Sequence, residues 1–252
     1  MNDMALLVDL HKGALRQGPG GDAQTEQALQ LAGVDRDQPL HIADIGCGTG
    51  ASSLVLARLL NAHITAVDFL QDFLDVLQAR ARAQGLDDRI QSQCRTMDDL
   101  PFEEASLDVI WSEGAIYNIG FERGVREWAR FLKPGGLLVV SEISWLTAAP
   151  PDELRGHWEK VYPEIDSPSA KLGLLERNGY APQGYFALPD SCWLDNYYSP
   201  MEAGFGAFLE RNGNSEAAQA IVAAERREIA LYRRYRTHLG YGMYIARKCH
   251  PG

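Results

Sequence analysis

Gly46, Gly48 and Gly50 put three glycines within five residues, between an apolar run at 40–43 followed by Asp44 and a segment of helical pattern. So little side-chain volume at a strand–helix junction lets backbone N–H groups close on a ligand. Asp44 lies where the turn begins and reads as part of the ligand-binding turn, and Cys47 inside it reads as a small packing residue rather than a nucleophile. About twenty residues beyond the turn, the run His63 to Val67 ends in Asp68, at the distance where an acid takes ribose hydroxyls. A plain tight turn and a helix N-cap are the simpler readings of the glycines and of Asp68. Their combination points to a nucleotide-containing ligand. Gly46, Gly48 and Ala51 also satisfy the loose G-x-G-x-x-G/A pattern of dinucleotide binding, so the turn alone does not say which nucleotide.

These residues need a frame to hold them, and the pattern of elements supplies one. Leu70, Phe73, Leu74, Leu77 and Ala81 share one helical face, and Gly85 can end that helix in a left-handed cap. Residues 89–94 and 107–111 read as the third and fourth strands. Phe121, Val125, Trp128, Phe131 and Leu132 form a second apolar stripe, stopped by Pro134-Gly135-Gly136 before a fifth strand at 137–143. Ser167-Pro168 starts a further helix and Asn178-Gly179 ends it, with strands at 180–188 and 241–248 after it. The alternation predicts an α/β, doubly wound, mostly parallel seven-stranded sheet in one domain. Within it, 1–39 reads as an N-terminal lid, 40–188 as the ligand-binding core, 189–239 as an insertion and 240–252 as the last strand and tail.

Both flanking segments read as covers. Leu10 to Leu15 has a short helical pattern ahead of a Gly18-Pro19-Gly20 hinge, which suits a lid. The insertion carries Trp193, Asp195, Tyr197, Tyr198 and two helical stretches, and reads as a pocket wall for a small, partly apolar substrate; core packing and a dimer contact are the other uses of those rings. Ligands of open α/β sheets bind beyond the carboxyl ends of the strands. Glu113 and Tyr117, in the loop after the fourth strand, are therefore the leading catalytic candidates, with His157 behind them. Glu113 could instead only hold a ligand's ammonium group or a backbone amide.

The formal net charge of −10 disfavours nucleic acid, whose binding is driven by neutralising phosphates. The basic run from Arg226 to Arg236 alternates with Glu225 and Glu228, and reads as the wet face of a helix. Four scattered cysteines form no C-x-x-C pair, so neither a metal site nor a disulfide framework is indicated and a reducing cytoplasm fits. No apolar run is long enough to span a bilayer, and no membrane partner is expected.

The D-I-G-C-G-T-G turn at 44–50, Asp68 closing the second strand, D-D-L-P-F at 98–102 and L-K-P-G-G at 132–136 before L-L-V-V-S-E together resemble the class I S-adenosylmethionine-dependent methyltransferases, of the small-molecule type related to ubiquinone and menaquinone biosynthesis enzymes. The resemblance is firm over 40–144 and implies a C-terminal antiparallel hairpin. It assigns the cofactor's methionine and ribose part to Gly46, Cys47, Gly48 and Gly50, the ribose hydroxyls to Asp68, and the adenine to Phe69 and Met97. Asp98 would be the polar partner of the adenine, although Arg95-Thr96-Met97 stands where many members have Gly-Asp-Ala. Arg16 on the lid would pair with the cofactor's carboxylate, and Trp111, Tyr117 or Trp145 would face the sulfonium.

The implied reaction is in-line methyl transfer to a small-molecule acceptor, where position matters more than acid–base help. A nicotinamide-dependent oxidoreductase and a non-catalytic S-adenosylmethionine-binding protein are the competing readings. A homodimer stays open.

Overall fold

A computed structural model describes residues 3–250. Seven strands form one sheet in the order β3-β2-β1-β4-β5-β7-β6. They are β1 (Leu40–Ile45), β2 (Ala62–Asp68), β3 (Ile90–Cys94), β4 (Leu107–Ser112), β5 (Leu132–Trp145), β6 (Tyr180–Ala187) and β7 (Leu239–Lys248). β1 to β5 pair in parallel, whereas β7 runs antiparallel between β5 and β6. The switch of strand order between β1 and β4 opens a crevice at the carboxyl edge, where ligands of such sheets bind.

The helices are α1 (Asp3–His11), α2 (Asp22–Ala32), α3 (Ala51–Leu59), α4 (Gln71–Ala83), α5 (Phe121–Trp128), α6 (Asp152–Val161), α7 (Pro168–Arg177), α8 (Asp190–Trp193), α9 (Ser199–Arg211) and α10 (Glu216–Tyr235). Strand alternation divides the core between two faces of the sheet. Ile42, Ile64, Val109 and Val139 pack with Leu29 of α2, Leu56 of α3 and Leu74 of α4. Their neighbours Ala43, Ile110, Leu138 and Val140 pack with Phe121 and Val125 of α5 and Leu175 of α7. All of these side chains are buried, and each face contributes in proportion to the apolar area it removes from water.

The sequence-derived boundaries hold for most elements and shift at two. Ser167 caps α7 by accepting from the Ala170 amide, and Gly179 follows its end at φ +80°. β5, however, begins at Leu132 and runs through Pro134-Gly135-Gly136, because the α5 stripe tightens into a 3-10 turn at Ala129–Phe131 and the chain extends directly from there. The leader helix also lies earlier than its pattern indicates. α1 ends at His11, and 12–20 is the turn that binds it to the glycine loop.

Candidate active site

The site begins with a turn that only glycine can make at low cost. Gly46, Gly48 and Gly50 have φ of +74°, +54° and +84°, a region where a Cβ is strained. A Cβ on Gly46 would lie 2.3 Å from that of Ala115, and one on Gly50 would lie 2.0 Å from Leu77 Cδ1. The turn is pinned from β2, since the Gly46 and Cys47 amides both donate to the Val67 carbonyl. Asp68 completes the anchor: one carboxylate oxygen accepts from the Gly48 amide at 2.9 Å and the other from Leu70 at 2.9 Å. Burial raises the pKa of this carboxyl against the lowering effect of the Leu70 and Gly48 amides. A carboxylate has about four lone-pair sites, so two remain for hydroxyls in the cleft.

Beneath the turn, Asp44 accepts from Ser53 Oγ at 2.6 Å and is 1% exposed. Desolvation pushes its pKa up to about 7. It joins the end of β1 to α3 and does not line the cleft, and neither does Gly50.

Residues 14–17 lie against the turn. Gln17 Oε1 accepts from the Thr49 amide at 2.8 Å and from Thr49 Oγ1 at 3.0 Å, while Arg80 of α4 donates to Thr49 Oγ1 at 2.6 Å and to the Ala14 carbonyl at 2.8 Å. Arg16 reaches Glu113 Oε2 at 3.0 Å and Asp22 at 3.1 Å. Glu113 is occupied on both oxygens, for its Oε1 accepts from Thr25 Oγ1 at 2.7 Å and from Trp111 Nε1 at 2.9 Å. With three donors on it, Glu113 works as a joint between β4, α2 and the lid.

Together these walls enclose a cleft of about 370 Å³, within the usual range for small-molecule sites. Arg16, Gly46, Cys47, Gly48, Asp68, Phe69, Met97, Glu113 and Tyr117 line it. Phe69 is 52% exposed, a free ring beside Asp68. Asp98 lies outside, exposed on the surface 4.0 Å from Arg123. Of the three rings expected near a sulfonium, only Tyr117 reaches the cleft, carried there by a single 3-10 turn at Ile116–Asn118. Trp111 is sealed in the core, and Trp145 does not line the cleft. His157 does not line it either; its Nε2 is buried with no hydrogen-bond partner among the described residues.

The insertion divides its aromatics by function. Trp193 stacks on Tyr232 of α10 at 4.4 Å and Tyr198 donates to Glu228 at 3.0 Å, so both are core. Tyr197 alone lines the cleft. A π-helical segment at Leu194–Tyr198 makes that division, a distortion frequent at functional sites. Opposite Tyr197 stands His11 of α1, parallel to it within 13° at 6.3 Å between ring centres, with its pKa lowered by burial. Glu225 of α10 also lines the cleft, and Glu228 is half-buried beside the insertion, while Arg226, Arg227, Arg233, Arg234 and Arg236 are exposed. The expected common wet face is thus two faces: acids turned inward, arginines outward. His11, Gln17, Arg80 and Glu225 carry no local motif. For His11, Arg80 and Glu225 the only sequence signal is helical spacing from residues that face the core, and Gln17, in the turn after α1, has none.

The fold is that of a nucleotide-binding, doubly wound sheet with an antiparallel final strand. A methyltransferase-domain family model matches residues 42–136, and the demethylmenaquinone methyltransferase of Clavibacter sepedonicus is 34% identical over 68% of this chain and 67% of its own. The chain belongs to the class I S-adenosylmethionine-dependent methyltransferases. It spans about half the length of other curated relatives it matches, 53% and 44% of two of them. Among solved structures, an S-adenosylmethionine-dependent methyltransferase from Geobacter sulfurreducens in complex with S-adenosyl-L-homocysteine superposes with TM-score 0.82 at 21% identity, covering 97% of this chain and 96% of that one. The cyclase SpnF superposes with TM-score 0.77 at 22% identity over 98% of this chain and 93% of that one. These two likenesses concern the fold.

The cleft suits the family's cofactor on its own chemistry. Its glycine turn leaves backbone space, Asp68 keeps acceptor capacity, Phe69 offers an exposed ring, and Asp68 and Glu225 bring carboxyl groups that no described cation pairs with.

Proposed function

We propose that the protein transfers a methyl group from S-adenosylmethionine to a small-molecule acceptor. The observation that carries this reading is the continuity of one cleft that is lined by the glycine turn and Asp68 together with Tyr117, Tyr197 and Glu225. Asp68 would hold the ribose, Phe69 and Met97 the adenine, and the Gly46-Cys47-Gly48 backbone the amino-acid part. Bound there, the donor supplies an electrophilic sulfonium methyl group.

The chain's own contribution is position. Arg16 and Gln17 close the leader over the turn, and Tyr117 and Tyr197 confine the acceptor, which is the main requirement of an in-line displacement. Arg16 is already engaged by Glu113 and Asp22, so we propose that it meets the cofactor's carboxylate as part of that network. Asp98 is exposed at the surface and does not line the cleft, so this reading gives the adenine to Phe69 and Met97 without it.

Other folds of this shape carry different chemistry, so the product is the test. Incubation with S-adenosylmethionine and a pool of small hydroxyl and amino compounds should release S-adenosylhomocysteine, with no turnover of nicotinamide dinucleotides. Binding of the cofactor without any such release would favour a non-catalytic binding protein. We further place the chain in the cytoplasm, consistent with four free cysteines. Among the described residues no helix is long and apolar enough to cross a membrane. A homodimer remains part of the proposal, and sedimentation reads it directly.

A further inference from the structure

From the acceptor end of the cleft we infer that the substrate is an uncharged planar aromatic hydroxyl compound and that Glu225 takes its proton. This rests on the methyl-transfer reading above. Glu225 makes no hydrogen bond or ion pair to the described residues, yet its side chain lines the cleft. A half-buried carboxylate with open acceptor sites wants an O–H or N–H donor, and the ligand must bring it.

The surroundings select the donor. Tyr197 and His11 present nearly parallel rings and Tyr117 a third, which favours a flat aromatic body. Among the described residues, the arginines lining the cleft are engaged, Arg16 by Glu113 and Asp22 and Arg95 by Asp99. An anionic acceptor would therefore meet Glu225, with Glu228 adding to its charge, and no unengaged arginine or lysine among the described residues that line the cleft. A cationic acceptor would meet the sulfonium. A neutral aromatic hydroxyl meets neither cost.

The step balances without a further reagent. The acceptor's O–H bond breaks, its proton goes to a Glu225 oxygen, and an oxygen lone pair forms the O–C bond to the transferred methyl. The C–S electron pair stays on sulfur, giving the thioether.

Burial and the neighbouring Glu228 push the Glu225 pKa up to about 7, near the optimum for a base at neutral pH. Glu228 on the same helix and Tyr197 from the π-helical segment interact with it, and His11 from α1 and Tyr117 from the loop after β4 line the same cleft.

The test is fluorescence titration of S-adenosylhomocysteine-saturated protein with 2-naphthol and 2-naphthoate, for wild type and Glu225→Gln. Wild type should prefer the naphthol by about ten-fold or more, and Glu225→Gln should erase most of that preference without moving the melting temperature. Methylation of 2-naphthol should rise with pH through about 7 in wild type and lose that limb in the variant. Equal binding of the carboxylate, a variant that discriminates as well as wild type, or preferred methylation of 2-naphthylmethylamine overturns the inference. Calorimetry separates the two levels. Failure to bind S-adenosylhomocysteine would sink the underlying reading, whereas binding with no discrimination sinks only the role of Glu225.

Discussion

Asp68 shows how much one carboxylate can carry. From sequence it is an acid placed to take ribose hydroxyls, or a helix N-cap; in the structure it is 8% exposed and satisfies the Gly48 and Leu70 amides. Asp68→Ala would leave two backbone donors unpaired and cost about 1–3 kcal/mol in stability. Asp68→Asn is the cleaner change, since its carbonyl can keep one amide. It should weaken S-adenosylhomocysteine by roughly ten-fold or more, the scale of a lost hydrogen bond to a charged group. Asp44 makes a pH-dependent prediction. Its folded-state pKa, about 7, lies above the ordinary 3.8. Between those values the native state holds a proton that the unfolded chain releases, so this group's contribution falls as pH rises through that window. Asp44→Asn should flatten the decline, and urea melts at pH 4.5, 6 and 7.5 would measure it.

At the level of elements, the legible parts were those written in local pattern. The α4 face from Phe73 to Ala81, the capped α7 and the glycine turn all declare themselves through spacing and residue type, and each appears where expected. Residues that meet only by topology were not legible. Gln17 and Thr49 are 32 positions apart, Arg16 and Glu113 are 97, and nothing local marks either pair. The same holds for Glu225, whose helix looked evenly charged until packing turned the acids inward. The lid contacts predict a specific behaviour. Arg80 joins Thr49 to the carbonyls of Ala14 and Leu15, so Arg80→Ala should speed amide exchange over 12–20 and raise the cofactor's off-rate more than it alters the on-rate. Unchanged protection across that segment would show that the lid does not depend on this residue.

Across the whole molecule, one sheet serves both stability and chemistry. Its two faces are packed by helices, and its carboxyl edge is left to the turn, the lid and the insertion. Close behind the site, Lys171 of α7 pairs with Glu142 of β5 at 3.0 Å, their side chains 3% and 0% exposed. Lys171 also lies over the Phe121 ring at 4.5 Å. Lys171→Met should destabilise the fold by about 3–5 kcal/mol by leaving Glu142 uncompensated, and Glu142→Leu in the same chain should recover part of it. Chemical denaturation of the single and double variants tests this. The central claim is that the carboxyl edge holds S-adenosylmethionine through the glycine turn and Asp68. Isothermal titration with S-adenosylhomocysteine tests it most directly. One site per chain, weakened by Asp68→Asn, is the result expected; no measurable affinity for either S-adenosylhomocysteine or S-adenosylmethionine in the folded wild-type protein would contradict it.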